Sequence, residues 1–181
     1  VNAYRNLAEE MGFMEYFIRE MRKDEIYLLD NFLYEAIFIP DWYMQEVPRD
    51  IIYTNPKIYA AIKDFGRRPD DYCLVAEADE KVVGAVWVSI TDEYGHMDDE
   101  TPSFSISLYK EYRRKGIGTE LMKKMLELLK SKGYKRASLG VNKENFAVHM
   151  YENVGFEIAG NGADETEWLM VHGLGHDAIR D

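Results

Sequence analysis

Residues 111–122 read EYRRKGIGTELM, three basic side chains (Arg113, Arg114, Lys115), then Gly116-Ile117-Gly118, then Thr119 and a helix-forming run. The first turn of any helix leaves N–H groups without partners, and the helix dipole adds about half a positive charge there. Gly116 and Gly118 remove side chains that would keep an anion from the backbone. Arg113, Arg114 and Lys115 add long cationic arms. The stretch therefore reads as a cradle for a diphosphate, the plain alternative being a solvated basic helix start with a glycine turn.

Working outward, SFSISL before the loop is a strand, and the helix spans Thr119 to about Lys132. That helix carries Leu121, Met125, Leu128 and Leu129 on one face and stops at Gly133. YKRASLGV is a further strand, a short helix runs from Asn145 to Asn153, and GFEIA and TEWLMVHGL close the chain as strands. Upstream, EYFIREM alternates as a strand does. The next run, from Asp24 as N-cap to Pro40, has helical spacing. Residues 40–56 read as a proline- and aromatic-rich loop, 56–65 as a second helix, and YCLVAEA with KVVGAVWVSI as an antiparallel hairpin. TDEYGHMDDETP is an acidic connection into the central strand. The expected order is β-α-α-β-β-β-α-β-α-β-β, a mixed α/β fold with a mostly antiparallel sheet flanked by helices. One domain is expected over 14–175, with 1–13 an N-terminal extension and 176–181 a tail.

Composition narrows the function. The 181 residues carry a formal net charge of -11, which argues against nucleic acid and anionic membranes as partners. The single cysteine, Cys73, sits in an apolar strand and reads as a buried small hydrophobe. The four histidines form no metal-binding spacing, so no metal is expected. No signal peptide and no membrane-length apolar run is evident, and a cytoplasmic location is expected. Two familiar phosphate loops are excluded. No Gly-Lys pair exists for the nucleotide P-loop, and Leu121 stands where the dinucleotide fingerprint needs its third glycine.

The pattern Arg113-x-x-Gly116-x-Gly118 instead resembles the acetyl-CoA signature of the Gcn5-related N-acetyltransferases. SISLYKEYRRKGIGTELMKKMLELLKSKG resembles that family's strand-loop-helix unit from end to end, and NKENFAVHMYENVGFE its next block. The first strand and helix and the central hairpin agree, so the resemblance covers about residues 14–172. It implies acetyl transfer from acetyl-CoA to an amine. The backbone of Ile106, Ser107 and Leu108 would pair with the pantetheine arm as an added strand does. The N–H groups from Arg114 through Lys115, Gly116, Ile117 and Gly118 to Thr119 would hold the pyrophosphate. Asn145 would contact the arm, cap the following helix, or both.

Tyr151 matches the family's general acid: a phenol with pKa near 10 keeps its proton at pH 7 and can give it to the leaving thiolate. The usual base positions hold Ser103 and Gly140 instead of carboxylates. Glu100 is the leading substitute, with Asp98, Asp99, Glu93, Asp92 and Glu77 also in range. Phe38, Trp42, Tyr43, Tyr53 and Tyr94, facing the acidic 92–100 run, suit a cationic acceptor. Trp42, Tyr43, Tyr94, Asp98 and Asp99 are the expected acceptor contacts. The acceptor would be the amine of a small molecule or peptide, and a homodimer stays open. A member of the same fold that binds acyl-CoA without transferring it is the alternative.

Overall fold

The structure, a computed structural model, describes residues 14–175; the expected extension 1–13 and tail 176–181 lie outside them. The strands are β1 Phe17–Glu20, β2 Tyr72–Ala78, β3 Lys81–Ser89, β4 Ser103–Leu108, β5 Arg136–Asn142, β6 Glu157–Asn161 and β7 Glu167–Gly173. They form one sheet in the order β1-β2-β3-β4-β5-β7-β6. Every neighbouring pair is antiparallel except β4 and β5, which run parallel. The α-helices are α1 Leu29–Ala36, α2 Ile51–Thr54, α3 Pro56–Ala60, α4 Ile117–Ser131 and α5 Ala147–Asn153. None is long and apolar enough to cross a membrane among the described residues.

Strand alternation sorts the side chains into two layers. Phe104, Leu108, Leu139, Val141 and Met170 pack with the buried α4 stripe of Ile117, Leu121, Met122, Met125, Leu126 and Leu129. Tyr151 of α5 packs against this first layer. Val75, Ala85 and Trp87 point the other way, onto Leu29, Phe32 and Leu33 of α1 and Ile52 of α2.

Three local expectations change. Asp24 does not cap the first helical segment. A 3-10 turn over Lys23–Leu28 precedes α1, and Glu25 receives the Arg22 N–H at 2.8 Å and two bonds from Arg19 at 2.8 and 2.7 Å. The second helix is not one element over 56–65. It ends at Ala60, and the stretch expected as loop holds α2 just ahead of it; Asn55 separates the two, its side chain accepting from the N–H groups of Lys57 and Ile58 (3.0 and 3.2 Å), with Pro56 at the first helical position. Finally, α4 begins two residues early, at Ile117, because Gly116 takes a left-handed φ of +83° that turns the chain directly into the helix.

Candidate active site

The parallel pair β4–β5 is joined at one register position, Ser103 with Ser138, supported by the Ser138 N–H bonding the Pro102 carbonyl at 3.0 Å. Beyond that point the strands part. The alternation of backbone direction then decides which groups of β4 face the opening. The Tyr109 N–H bonds Val83 O at 3.0 Å, so the odd-numbered residues of β4 turn their backbone toward β3. Even-numbered residues turn toward β5, leaving Ile106 and Leu108 to face the gap. Ser107 is a correction: its backbone belongs to the β3 pairing opposite Ala85, and its hydroxyl donates to Phe32 O at 2.6 Å.

The start of α4 stands at the open end of this gap. Gly116 supplies no side-chain cap, so the N–H groups of Ile117, Gly118 and Thr119 have no intrahelical acceptor. Arg114 is itself left-handed, with φ +60°, and Arg114 and Lys115 are exposed. Arg113 departs from the expected phosphate arm. Its Nε donates to Leu108 O at 2.8 Å, and its guanidinium ion-pairs with Glu35 at 2.9 Å, fastening the loop to α1. Gly118 is a second departure. A Cβ there would lie 3.3 Å from Leu108 Cδ1 and 3.4 Å from Met150 Sδ, so this glycine also lets α4 pack closely. An extended ligand ending in phosphates fits what remains: a free strand edge leading to uncapped N–H groups and two cations.

Tyr151 stands on the α4–α5 side. Its ring meets Phe156 edge-on, and burial pushes its phenol up to about 12. Asn145 stands one residue ahead of the N-cap, Phe146, and its side chain accepts the Ala147 N–H at 2.9 Å.

The opposite side of the sheet holds the acidic connection, which the fold splits in two. Asp98 ion-pairs with Arg136 at 2.8 Å, at the end of β5 away from the gap, and Asp99 and Glu100 are exposed in the same turn. The structure therefore does not gather Asp98, Asp99 and Glu100 with Tyr94. Glu93, Tyr94 and Gly95 instead lie over β5, where the Ser138 hydroxyl donates to Gly95 O at 2.7 Å. This packing explains both residues found in place of carboxylates. A Cβ on Gly140 would lie 2.7 Å from Tyr94 O, and one on Gly95 would run into the Ser103 hydroxyl and lie 2.5 Å from Gly140 N. Glu93, buried beside Ser103, is the carboxylate the connection delivers there; burial pushes it up, against the downward pull of the Ser103 hydroxyl and the Gly95 N–H.

A cavity of about 120 Å³ opens here, lined by Lys57, Asp92, Glu93, Tyr94, His96, Asn161, Gly162, Ala163 and Leu169. Tyr94 is thus at the site, its hydroxyl taking a bond from Asn55 at 3.2 Å. Trp42 and Tyr43 stand on an exposed segment, and Trp42 Nε1 reaches Glu144 at 3.1 Å, in the connection after β5. Sequence reasoning missed Glu167. It is register partner to Asn142 and shares a strand face with Leu169, and its carboxyl is raised to about 7 by burial and by the charges of Asp164 and Glu93. The available signal was a lone carboxylate in the alternating strand EWLMVHG, in the register of Leu169 and Val171.

The acetyltransferase (GNAT) family model matches residues 33–156. The chain belongs to that family. A probable N-acetyltransferase, camello, from Xenopus laevis is 34% identical over 90 residues, 49% of this chain and 40% of the relative. The match thus spans less than half the length of that curated relative. Among solved structures, PaiA N-acetyltransferase from Thermoplasma acidophilum, in complex with coenzyme A, superposes with TM-score 0.64 at 20% identity, covering 88% of this chain and 99% of that one. YncA, a putative acetyltransferase from Salmonella typhimurium with its cofactor acetyl-CoA, gives 0.63 at 18% identity, covering 92% and 98%. These likenesses establish the GNAT fold.

Proposed function

We propose that this protein is an acetyl-CoA-dependent N-acetyltransferase acting on a primary amine of a small molecule or peptide, with Tyr151 as general acid. The observation that carries the reading is the gap between β4 and β5, with uncapped helix N–H groups at its open end, a phenol on one face and a carboxylate-lined cavity on the other. Bound acetyl-CoA supplies an activated thioester. Ile106 and Leu108 offer backbone groups to its arm, and Ile117, Gly118 and Thr119, with Arg114 and Lys115, receive its pyrophosphate.

Tyr151 holds its proton throughout the neutral range, since its pKa is raised rather than lowered. Against a thiol of pKa about 8.5, full proton transfer from so weak an acid runs uphill. Tyr151 therefore acts chiefly by donating a hydrogen bond as charge builds on the sulfur, completing transfer as the C–S bond breaks.

The test is thiol release from acetyl-CoA across a panel of primary amines, with thermal shift by acetyl-CoA measured alongside. Amine-dependent release supports the reading. Strong thermal stabilisation without release for any amine would favour a binding module of the same fold.

A further inference from the structure

We propose that the cavity between α3 and the β6–β7 turn receives the acceptor as a primary ammonium ion, with Glu93 holding the cation and Glu167 taking its proton. The proposal deepens the acetyl-transfer reading and rests on it.

Glu93 is 7% exposed, lines the cavity, and its Oε1 has no hydrogen-bond partner. Buried carboxylates are otherwise paired, because an unmatched charge is expensive to keep from water. The nearby cation does not meet this need: Lys57 of α3 spends its ammonium on Asp92 at the rim. His96 Nδ1, from the same connection and lining the same cavity, is also buried without a partner. A carboxylate oxygen and an imidazole nitrogen suit the three donors of an ammonium group.

Glu167 lies between this cavity and the gap. Leu169 lines the cavity opposite Gly140 in register, and Glu167, two residues earlier on the same face, stands opposite Asn142 at the open end of β5. An amine moving from Glu93 toward the gap passes Glu167. The charges around Glu167 are Glu93 on the cavity side and Asp164 in the turn before β7, with Lys143 at the end of β5 near Asp164. Burial and the two acidic neighbours bring Glu167 to about 7, where a carboxylate accepts a proton far better than a surface one. One proton of the ammonium passes to Glu167. The freed lone pair then forms the C–N bond as the C–S bond breaks. Tyr151 gives its proton to the sulfur and regains one from the second nitrogen proton, leaving amide, free thiol and protonated Glu167, which returns its proton to water.

The experiment uses the full chain with 1,4-diaminobutane as probe. Calorimetry should show binding by the wild type and at least about tenfold weaker binding by Glu93→Gln. Thiol release from acetyl-CoA should rise through an acidic limb near pH 7. Glu167→Gln should lose that limb and about 100-fold in rate, and Glu167→Asp should restore part of both. Glu93→Gln should move the limb to lower pH, because a neighbouring negative charge has gone. No binding by the wild type, wild-type affinity in Glu93→Gln, or an unchanged limb in Glu167→Gln would each overturn the proposal. Glu93-dependent binding without any thiol release would leave the cation site standing and sink acetyl transfer, and with it the role of Glu167.

Discussion

The carbonyl oxygen of Tyr94 occupies the space a side chain on Gly140 would need, at 2.7 Å from its would-be Cβ. Backbone cannot swing aside as the end of a flexible side chain can. Gly140→Ala should therefore push the Glu93–Gly95 segment off β5, costing about 1–3 kcal/mol, the usual range for overpacking. Thermal unfolding should register the loss, and amine turnover should fall with it. Stabilisation by acetyl-CoA should persist, because the cradle lies at α4. A variant as stable and active as wild type would show that the segment does not need this contact.

Gly116 and Gly118 should fail in different ways. At Gly116 there is open space but a φ of +83°, so Gly116→Val brings backbone strain of about 1–2 kcal/mol and turns the first N–H groups of α4 away from their target. Its thermal shift with acetyl-CoA should vanish. Gly118→Val meets Leu108 and Met150 instead, so the protein without ligand should already melt lower. Equal behaviour of the two in both measurements would refute this division.

Tyr151→Phe keeps the ring against Phe156 and removes the hydroxyl. With an amine substrate in hand, kcat should fall by about 10- to 10,000-fold while acetyl-CoA affinity holds. An unchanged kcat, with the chemical step shown to limit the rate, would remove Tyr151 from the mechanism.

Glu167 should leave a mark on stability as well. Its folded pKa of about 7 lies above the ordinary value of 4.5, so the native state holds this proton more tightly than the unfolded chain does. The resulting stabilisation is fully present below about 4.5 and is lost as pH rises to 7. Glu167→Gln carries no such term. The melting temperature of the variant minus that of the wild type should therefore grow between pH 5 and pH 8. A difference independent of pH would contradict the raised value.

The fold was legible because its deciding signals are local. The glycine turn before α4, the two apolar runs of β2 and β3 with a short charged turn between them, and the stop at Gly133 each depend on a few neighbouring residues. In the candidate site, the uncapped helix start after Gly116 was legible because loop and helix are contiguous in the chain. On the acceptor half, Asp92 through Glu100 form one acidic run in sequence. The fold sends Asp98 to Arg136 and buries Glu93 under Gly95, a division set by β5 packing that no charge count contains. Likewise the pattern of Arg113 suggested a phosphate ligand, whereas its guanidinium is committed to Leu108 and Glu35 across the fold.

The sheet separates Tyr151, packed with the α4 layer, from the cavity of Glu93 on its other side, and this has a consequence for the order of events. Two reactants approaching one opening from opposite directions do not obstruct each other's arrival. Neither has to leave before the other can land. The one thiol, Cys73, is no place for an acetyl group to wait: it is buried, and burial pushes its pKa up. On the proposed reading both reactants are aboard together. Initial-rate plots at varied amine, taken at several acetyl-CoA concentrations, should intersect, and parallel lines would mean that the acetyl group parks on the protein after all.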